Sequence, residues 1–178
     1  MLVVDCHGIC EPRNPGGMMA FGIHVSRLID EIFDPERSIQ YGPLFSFGSV
    51  LFSGKGAINH VADYYAIVAA LKWLIENKIT GEEIHLRSSN KICINQITGT
   101  YRIGAPYLWP LCKRVQLLLK NLKAVHLHWV GKGENQFARE AAIAAFMNYR
   151  SLYQNRKFDR KAFEEAEEVR LRLLQELN

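Results

Sequence analysis

The order of extended and helical segments is the feature that most constrains the fold of this chain. Three runs rich in β-branched and aromatic residues come first, at residues 2–10, 18–27 and 44–53. The Pro- and Gly-rich turn "EPRNPGG" separates the first two runs, and a polar stretch separates the last two. Each run is therefore expected to pair antiparallel with its neighbour, so three strands precede any helix.

Helical and extended patterns alternate after the third strand. Residues 60–77 carry apolar side chains at helical spacing, with Asn59 as the expected N-cap. The segments that follow predict a strand, a short helix, a longer helix that Pro110 breaks or kinks, a strand and a helix over 134–153: "EEIHLRSS", "NKICINQI", "PYLWPLCKRVQLLLKNL", "AVHLHWV" and "ENQFAREAAIAAFMNYRSLY". This pattern predicts an α/β fold, in which helices flank a mixed five-stranded sheet whose first three strands are antiparallel.

The C-terminal end of the chain has a different pattern. Residues 156–178 place apolar side chains in a stripe among charged ones, which predicts an amphipathic helix. We therefore divide the chain into a domain over residues 1–155 and a helical extension over 156–178. The extension is a candidate contact for a protein partner or for self-association.

The composition limits the function classes without selecting one. The chain has 178 residues and 48% hydrophobic content, enough to bury one core, and its net charge of +4 permits a polyanionic partner. No apolar run approaches the roughly 18 residues of a membrane span. The lack of such a run predicts a cytoplasmic protein without a membrane partner. The histidines and cysteines show no metal-ligand spacing. We therefore expect four reduced and mostly buried thiols: Cys6, Cys10, Cys93 and Cys112.

Four short motifs, in chain order, resemble those of the type 1 ribonuclease H family, which cuts the RNA strand of RNA–DNA hybrids. "HGICEPRNPGG" resembles the family's first-strand motif, an Asp-Gly pair followed by a turn ending Asn-Pro-Gly-Gly, and "NHVADYYAI" resembles its helix motif Asn-Asn-x-Ala-Glu. "SSNKICINQITGTY" and "WVGKGENQFAREA" resemble its fourth-strand motif and its closing Asn-x-x-Ala-Asp motif. The likeness spans roughly residues 2–150 and implies a ribonuclease H-like fold.

The same motifs show where this chain departs from the family. In the family four carboxylates hold two Mg²⁺ ions that activate a water and stabilise the leaving oxygen. The resemblance places His7, Asp63, Ser89 and Arg139 at these four positions. Mg²⁺ requires hard oxygen ligands. The resemblance therefore implies that two-metal catalysis is lost, and we expect neither catalytic residues nor a cofactor. Two interpretations of Arg139 stay open: it compensates the charge of Asp63 or contacts a phosphate, or it fills a decayed site in which Asp63, Ser89 and Arg139 have no role.

The resemblance also implies that nucleic-acid binding outlasts cleavage, so we expect a non-catalytic module for nucleic-acid binding or assembly. Relatives contact 2′-hydroxyls through the first turn and the start of the first helix. In this chain, aromatic and basic residues lie where relatives carry the helices that track the DNA strand. The candidate binding residues are Arg13, Asn14, Gly16, Gly17, Asn59, Gln96, Trp109, Lys113, Arg114 and Arg139. The expected partner is an RNA–DNA hybrid or double-stranded RNA.

Two other interpretations stay open. In the first, the chain is a divergent but active nuclease that cleaves RNA in hybrids with Mg²⁺ or Mn²⁺ held by Asp5 and Asp63, and Glu140 or Glu134 as a supplementary acid. Asp5 enters this alternative because it shares a strand face with His7. In the second, the chain is a protein-binding scaffold, and the Pro- and Gly-rich turn persists because the hairpin needs it.

Overall fold

The computed structural model describes residues 1–28, 41–53 and 57–154, so the tail helix predicted over 156–178 lies outside the described residues. The strands are β1 (Leu2–Glu11), β2 (Met18–Leu28), β3 (Tyr41–Ser53), β4 (Glu83–Ser88) and β5 (Ala124–Trp129). The helices are α1 (Asn59–Glu76), α2 (Lys91–Ile97), α3 (Trp109–Leu119) and α4 (Gln136–Gln154). Short 3₁₀ turns at Pro106–Leu108 and Lys132–Asn135 precede α3 and α4. The order predicted from the sequence is confirmed.

The five strands form one mixed sheet in the order β3-β2-β1-β4-β5. β1 pairs antiparallel with β2, and β2 with β3, whereas β4 pairs parallel with both β1 and β5. The predicted sheet is therefore confirmed. Because β1 and β4 are parallel neighbours, their carboxyl ends lie side by side, where α/β sheets commonly form ligand crevices.

The two faces of the sheet differ in chemistry. On one face, apolar side chains of β1 and β4 such as Val4 and Leu86 pack beneath α1 in the main core. The alternate positions, which include Asp5 and Arg87, form the other face, and α4 covers that face over β1, β2 and β3. The structure thus places polar groups beneath α4 and the large core beneath α1.

Helix α4 lies unusually close to the sheet because two glycines face it. A Cβ at Gly22 would lie 2.0 Å from the carbonyl oxygen of Ala138, and one at Gly48 would lie 2.1 Å from that of Ala141. A larger residue at either position would push the helix away. These contacts set the position of the first turn of α4.

Two local expectations about the ends of helices have different outcomes. Ile58, and not Asn59, is the N-cap of α1, and its side chain makes no capping hydrogen bond. Instead, the Oδ1 atom of Asn14 accepts a hydrogen bond of 3.2 Å from the Asn59 N–H, so the first turn supplies a partner for an otherwise unsatisfied helix donor. The predicted longer helix does divide next to Pro110, into a 3₁₀ turn at Pro106–Leu108 and α3 from Trp109, whose first turn tolerates the proline.

Two expectations about side chains and helices can be compared with the fold directly. All four cysteines are free and buried, which confirms the prediction of reduced and mostly buried thiols. Among the described residues, no helix combines the length and the apolar character needed to cross a bilayer.

Candidate functional site

A polar cleft of about 780 Å³ opens at the carboxyl ends of β1 and β4. Side chains reach it from the end of β1, the first turn, the start of α1, the β4–α2 connection and α4. The polar and charged residues that line it are His7, Glu11, Asn14, Asn59, His60, Asp63, Ser89, Asn90, Lys91, Lys132 and Arg139. The cleft therefore brings together all four residues that the motifs match to the family's carboxylates.

His7 and Ser89 occupy the cleft as a hydrogen-bonded pair, with 2.8 Å between His7 Nδ1 and Ser89 Oγ. Burial, followed by the positive charges of Arg139 and Lys132, lowers the pKa of His7 to about 4. The imidazole is therefore neutral at neutral pH. A Ser–His pair is the starting point of a nucleophilic dyad, but a base this weak removes a hydroxyl proton poorly. The pair is consequently not an activated nucleophile.

Asp63 is a buried carboxyl group, 2% exposed, with both of its oxygens engaged. Oδ1 accepts a hydrogen bond of 2.6 Å from the Gly8 N–H, and Oδ2 accepts one of 2.7 Å from Asn90 Nδ2. The contact with Gly8 arises because the backbones of β1 and α1 touch there, where a Cβ on Gly8 would lie 2.2 Å from the Asp63 nitrogen. Burial raises the pKa of Asp63 to about 7, and the two hydrogen bonds oppose that rise.

The expected ion pair between Arg139 and Asp63 does not form. Asp63 contacts Gly8 and Asn90, whereas the Arg139 side chain is exposed and acts electrostatically on His7. Neutral donors, and not a guanidinium, therefore stabilise the oxygens of Asp63. Arg139 is left with its guanidinium available to an incoming anion.

Asp5 is buried on the face of the sheet beneath α4. Arg87 donates to it twice, from Nε at 2.6 Å and from Nη2 at 2.9 Å, and the two residues are only 1% and 3% exposed. Arg87 Nη2 also lies 3.3 Å from the carbonyl oxygen of Glu134, to which it donates. Burial raises the pKa of Asp5, and the Arg87 guanidinium opposes that rise. Asp5 is not among the residues that line the cleft, so it does not share a site with Asp63.

The described residues of the cleft do not fit a pair of Mg²⁺ ions. Mg²⁺ requires oxygen ligands in near-ideal octahedral geometry, whereas both Asp63 oxygens already accept hydrogen bonds and Asp5 is paired with Arg87. Of the supplementary acids considered from the sequence, Glu140 accepts a hydrogen bond of 2.8 Å from Gln136, and neither Glu140 nor Glu134 lines the cleft.

A softer metal has a candidate ligand set at the same place, because His60, Asp63 and Cys93 offer ligand atoms within 4.8 Å of one another. Asn90 Nδ2, however, lies 2.7 Å from both His60 Nδ1 and Asp63 Oδ2. Burial also raises the pKa of Cys93, which keeps its thiol protonated. Two of the three candidate ligands are thus already engaged by the Asn90 amide.

The cleft is rich in cations and has an aromatic side chain beside it. Lys91, Lys132 and Arg139 line it. The ammonium group of Lys91 also lies 4.8 Å from the ring centroid of Trp129, which is 50% exposed. Lys91, Lys132 and Trp129 were not predicted from the sequence, although all three fall within the third and fourth motifs. Cations beside an exposed ring are suited to a phosphate backbone with stacked bases.

The first turn is fastened to the start of α1. Asn14 Nδ2 donates to Asn59 Oδ1 at 2.8 Å, and the Gly16 N–H donates to the carbonyl oxygen of Ala57 at 2.9 Å. The Gly17 N–H is used within the turn, where it donates to Arg13 at 2.8 Å. Both asparagines line the cleft, whereas the N–H groups of the two glycines hold the turn in its position.

The remaining predicted binding residues lie elsewhere. Gln96 is 7% exposed, and its Oε1 accepts a hydrogen bond of 2.9 Å from the Tyr64 hydroxyl, so this side chain joins α2 to α1. Trp109, 59% exposed, and Lys113 lie on the surface of α3 and Arg114 is half-buried there, but none of the three lines the cleft. Arg13 is exposed on the first turn. Of the predicted set, the cleft brings together Asn14, Asn59 and Arg139.

Comparison with known proteins agrees with this geometry. The sequence model of a family described as reverse transcriptase-like matches residues 45–145. The chain is 28% identical over 99 residues to EbsB of Enterococcus faecalis, a match that covers 56% of this chain and 70% of EbsB. It also matches mycobacterial proteins, of whose length it spans 26%.

Two solved structures share the fold over most of this chain. RNase H1 from the halophilic archaeon Halobacterium salinarum superimposes with a TM-score of 0.67 at 22% identity, covering 83% of this chain and 98% of that one. LC11-RNase H1 in complex with RNA/DNA hybrid superimposes with a TM-score of 0.64 at 18% identity, covering 82% of this chain and 99% of that one. The fold is therefore that of a type 1 ribonuclease H.

Proposed function

This chain belongs to the reverse transcriptase-like family, and from that premise we propose that it is a ribonuclease H-like module that binds an RNA–DNA hybrid, or another A-form duplex, without cleaving it. One observation carries the proposal. Of the four positions matched to the family's carboxylates, one, Asp63, holds an acid, and both of its oxygens accept hydrogen bonds. The other acid that lines the cleft, Glu11, lies outside the four matched positions, so the cleft lacks the carboxylate set that a pair of Mg²⁺ ions needs and the proposed activity uses no metal.

The charges of the cleft support binding to a phosphate backbone. Lys91, Lys132 and Arg139 face two acids, Glu11 and the partly protonated Asp63. An exposed guanidinium recognises phosphate oxygens with two parallel hydrogen bonds. Three cations that each neutralise one phosphate predict a log–log salt slope of roughly −3.

The asparagines of the cleft favour an A-form duplex. The Asn14–Asn59 pairing uses Asn59 Oδ1, so Asn59 Nδ2 stays a donor for a ligand in the cleft. A-form helices present 2′-hydroxyls across a wide, shallow minor groove, and these groups both donate and accept hydrogen bonds. The hybrid bound to LC11-RNase H1 supports the same ligand class, because that protein shares this fold.

The divergent-nuclease alternative is less well supported. It needs Asp5 and Asp63 to bind one metal site, but Asp5 is held by Arg87 beneath α4. The protein-scaffold alternative makes a different prediction, namely that no duplex binds to the cleft at low salt.

A competition titration tests the proposal. A labelled RNA–DNA hybrid is displaced by unlabelled hybrid, double-stranded RNA or B-form DNA of the same length, at two salt concentrations, with fluorescence anisotropy as the signal. We expect both A-form duplexes to compete better than B-DNA, with weak sequence preference. Replacing Asn14 and Asn59 together by alanine should weaken hybrid binding more than B-DNA binding.

A matched pair of charge variants locates the binding surface. Arg139→Ala should weaken the binding of every duplex and make the salt slope shallower by about one unit. Lys123→Ala removes an equally exposed cation from the α3–β5 connection, outside the cleft lining, and should leave the affinity unchanged. Equal losses in both variants would mean diffuse charge attraction, and no binding at low salt would favour the scaffold.

A further inference from the structure

A second cluster of metal-ligating side chains lies on β4 and β5, away from the cleft. His85 is directly opposite His126 in the parallel ladder, and Glu83 and His128 lie two residues away from them along the same strands. Residues at alternate positions share a face, so all four side chains lie on the face opposite the main core. Glu83 begins β4, whereas the cleft residue Ser89 follows its end, a separation of about 20 Å at 3.3 Å per residue.

The distances within this cluster match those around a shared ion. Glu83 Oε1 lies 3.3 Å from His85 Nε2 and 3.5 Å from His126 Nε2, and the three ligand atoms lie within 4.8 Å of one another. Charge-assisted hydrogen bonds are shorter, about 2.7–2.9 Å. Ligand atoms of a tetrahedral zinc site, with bonds of about 2.05 Å, lie about 3.3 Å apart. The two separations from Glu83 are therefore close to those expected around one shared ion.

His128 provides the outer contact that a metal-binding histidine usually has. His128 Nε2 lies 3.0 Å from His85 Nδ1. When His85 Nδ1 donates a hydrogen bond to His128, the lone pair of His85 Nε2 faces Glu83 and His126. A hydrogen bond from the second ring nitrogen is what orients a metal-binding histidine.

We propose that Glu83, His85 and His126 form a binding site for a divalent transition-metal ion of the Zn²⁺ class. Imidazole donors with one carboxylate favour Zn²⁺, Ni²⁺ or Cu²⁺ over Mg²⁺ and Ca²⁺. The Glu83 and His126 side chains are 47% and 51% exposed, so the ion enters from solvent and a water fills the fourth position. The site is independent of the cleft, where the Asn90 amide already contacts His60 and Asp63.

Calorimetric titration of the full chain, purified without a polyhistidine tag, with Zn²⁺ tests the site. We expect one ion per chain, and at least a tenfold loss of affinity in His126→Ala and in Glu83→Gln. Both residues are about half exposed, so the fold should persist, which far-UV circular dichroism checks. His60→Ala is the matched control, because it removes the corresponding imidazole from the cleft cluster, and it should bind Zn²⁺ as the wild type does.

Co²⁺ provides an independent signal, because tetrahedral coordination gives intense visible absorption that a loosely bound, octahedral ion lacks. The wild type should show these bands and His126→Ala should lose them. Three results would overturn the site: no Zn²⁺ binding by the wild type, unchanged binding by His126→Ala, or loss of binding in His60→Ala instead.

Discussion

Asp63 is a buried carboxyl group whose titration affects the stability of the whole fold. Burial raises its pKa from 3.8 to about 7. Because the native state then holds the proton more tightly than the unfolded chain does, this group lowers stability progressively as the pH rises from about 4 to 7, and by a constant amount above that range. His7 acts in the opposite direction, since its pKa is lowered from 6.5 to about 4.

Replacing Asp63 by asparagine removes one of these titrations and leaves that of His7. The stability advantage of the wild type over Asp63→Asn should therefore shrink as the pH rises from 4 to 7, and stay constant above 7. Urea unfolding at a series of pH values measures this difference. An advantage that grows with pH would mean that a cation stabilises the charged carboxylate, as the Arg139 pairing would have done.

Two bidentate arginine–carboxylate pairs differ mainly in burial. The Arg87–Asp5 pair is 3% and 1% exposed, whereas the Arg27–Glu82 pair is 50% and 35% exposed. Arg87→Ala should lower the free energy of unfolding by about 3–5 kcal/mol, because it leaves Asp5 buried without its partner. Arg27→Ala should cost less than about 1 kcal/mol, because water replaces the lost contact. Urea unfolding of both variants at neutral pH gives the comparison, and similar small losses would contradict it.

At the scale of the elements, α4 carries Arg139 to the cleft, and Gly22 allows its close approach to β2. In Gly22→Ala the new Cβ would lie 2.0 Å from the carbonyl oxygen of Ala138, so the helix must shift. We expect a loss of at least 1–3 kcal/mol in stability, as is typical of overpacked cores, together with weaker hybrid binding.

Gly104→Ala is the matched control for this prediction, because its Cβ would have no neighbour within 4 Å. Thermal unfolding and hybrid anisotropy should give a melting temperature and a hybrid affinity close to those of the wild type for this variant. If Gly22→Ala behaved like Gly104→Ala in both measurements, the close packing of α4 would not matter for the site.

Sequence periodicity was enough to predict the elements, but not their ends. The apolar spacing of α1 and the alternation of β1 are local sequence patterns, and burial of these apolar residues against one core stabilises the elements that they predict. The first donor of α1, in contrast, is satisfied by Asn14, which lies 45 residues earlier in the chain and is brought there by the first turn. Local reasoning therefore assigned the cap to Asn59.

At the scale of the whole molecule, the motifs predicted which residues meet, but not how they pair. His7, Asp63, Ser89 and Arg139 do line one cleft. The partner of Asp5 depends on the parallel register of β1 and β4, in which Asp5 is directly opposite Arg87, and a sequence carries no local signal for this register. The β4–β5 register likewise brings His85 and His126 together, although their spacing in the sequence suggests no ligand set.

The distribution of charge across the molecule is compatible with the proposed binding of a polyanion. The net charge is only +4, but three cations lie around one cleft whose buried acid is partly protonated. Binding should therefore depend on a few local contacts and not on the overall field.

The proposed function requires that the cleft binds an RNA–DNA hybrid and leaves its RNA strand intact. Native-gel retardation of an RNA-labelled hybrid in Mg²⁺ or Mn²⁺, with the RNA of the retarded band then resolved on a denaturing gel, tests both parts in one measurement. We expect a retarded complex that contains only full-length RNA, because Asp63 is the single acid among the four matched positions. RNA fragments that disappear in Asp63→Asn, or no retarded band at low salt, would contradict it.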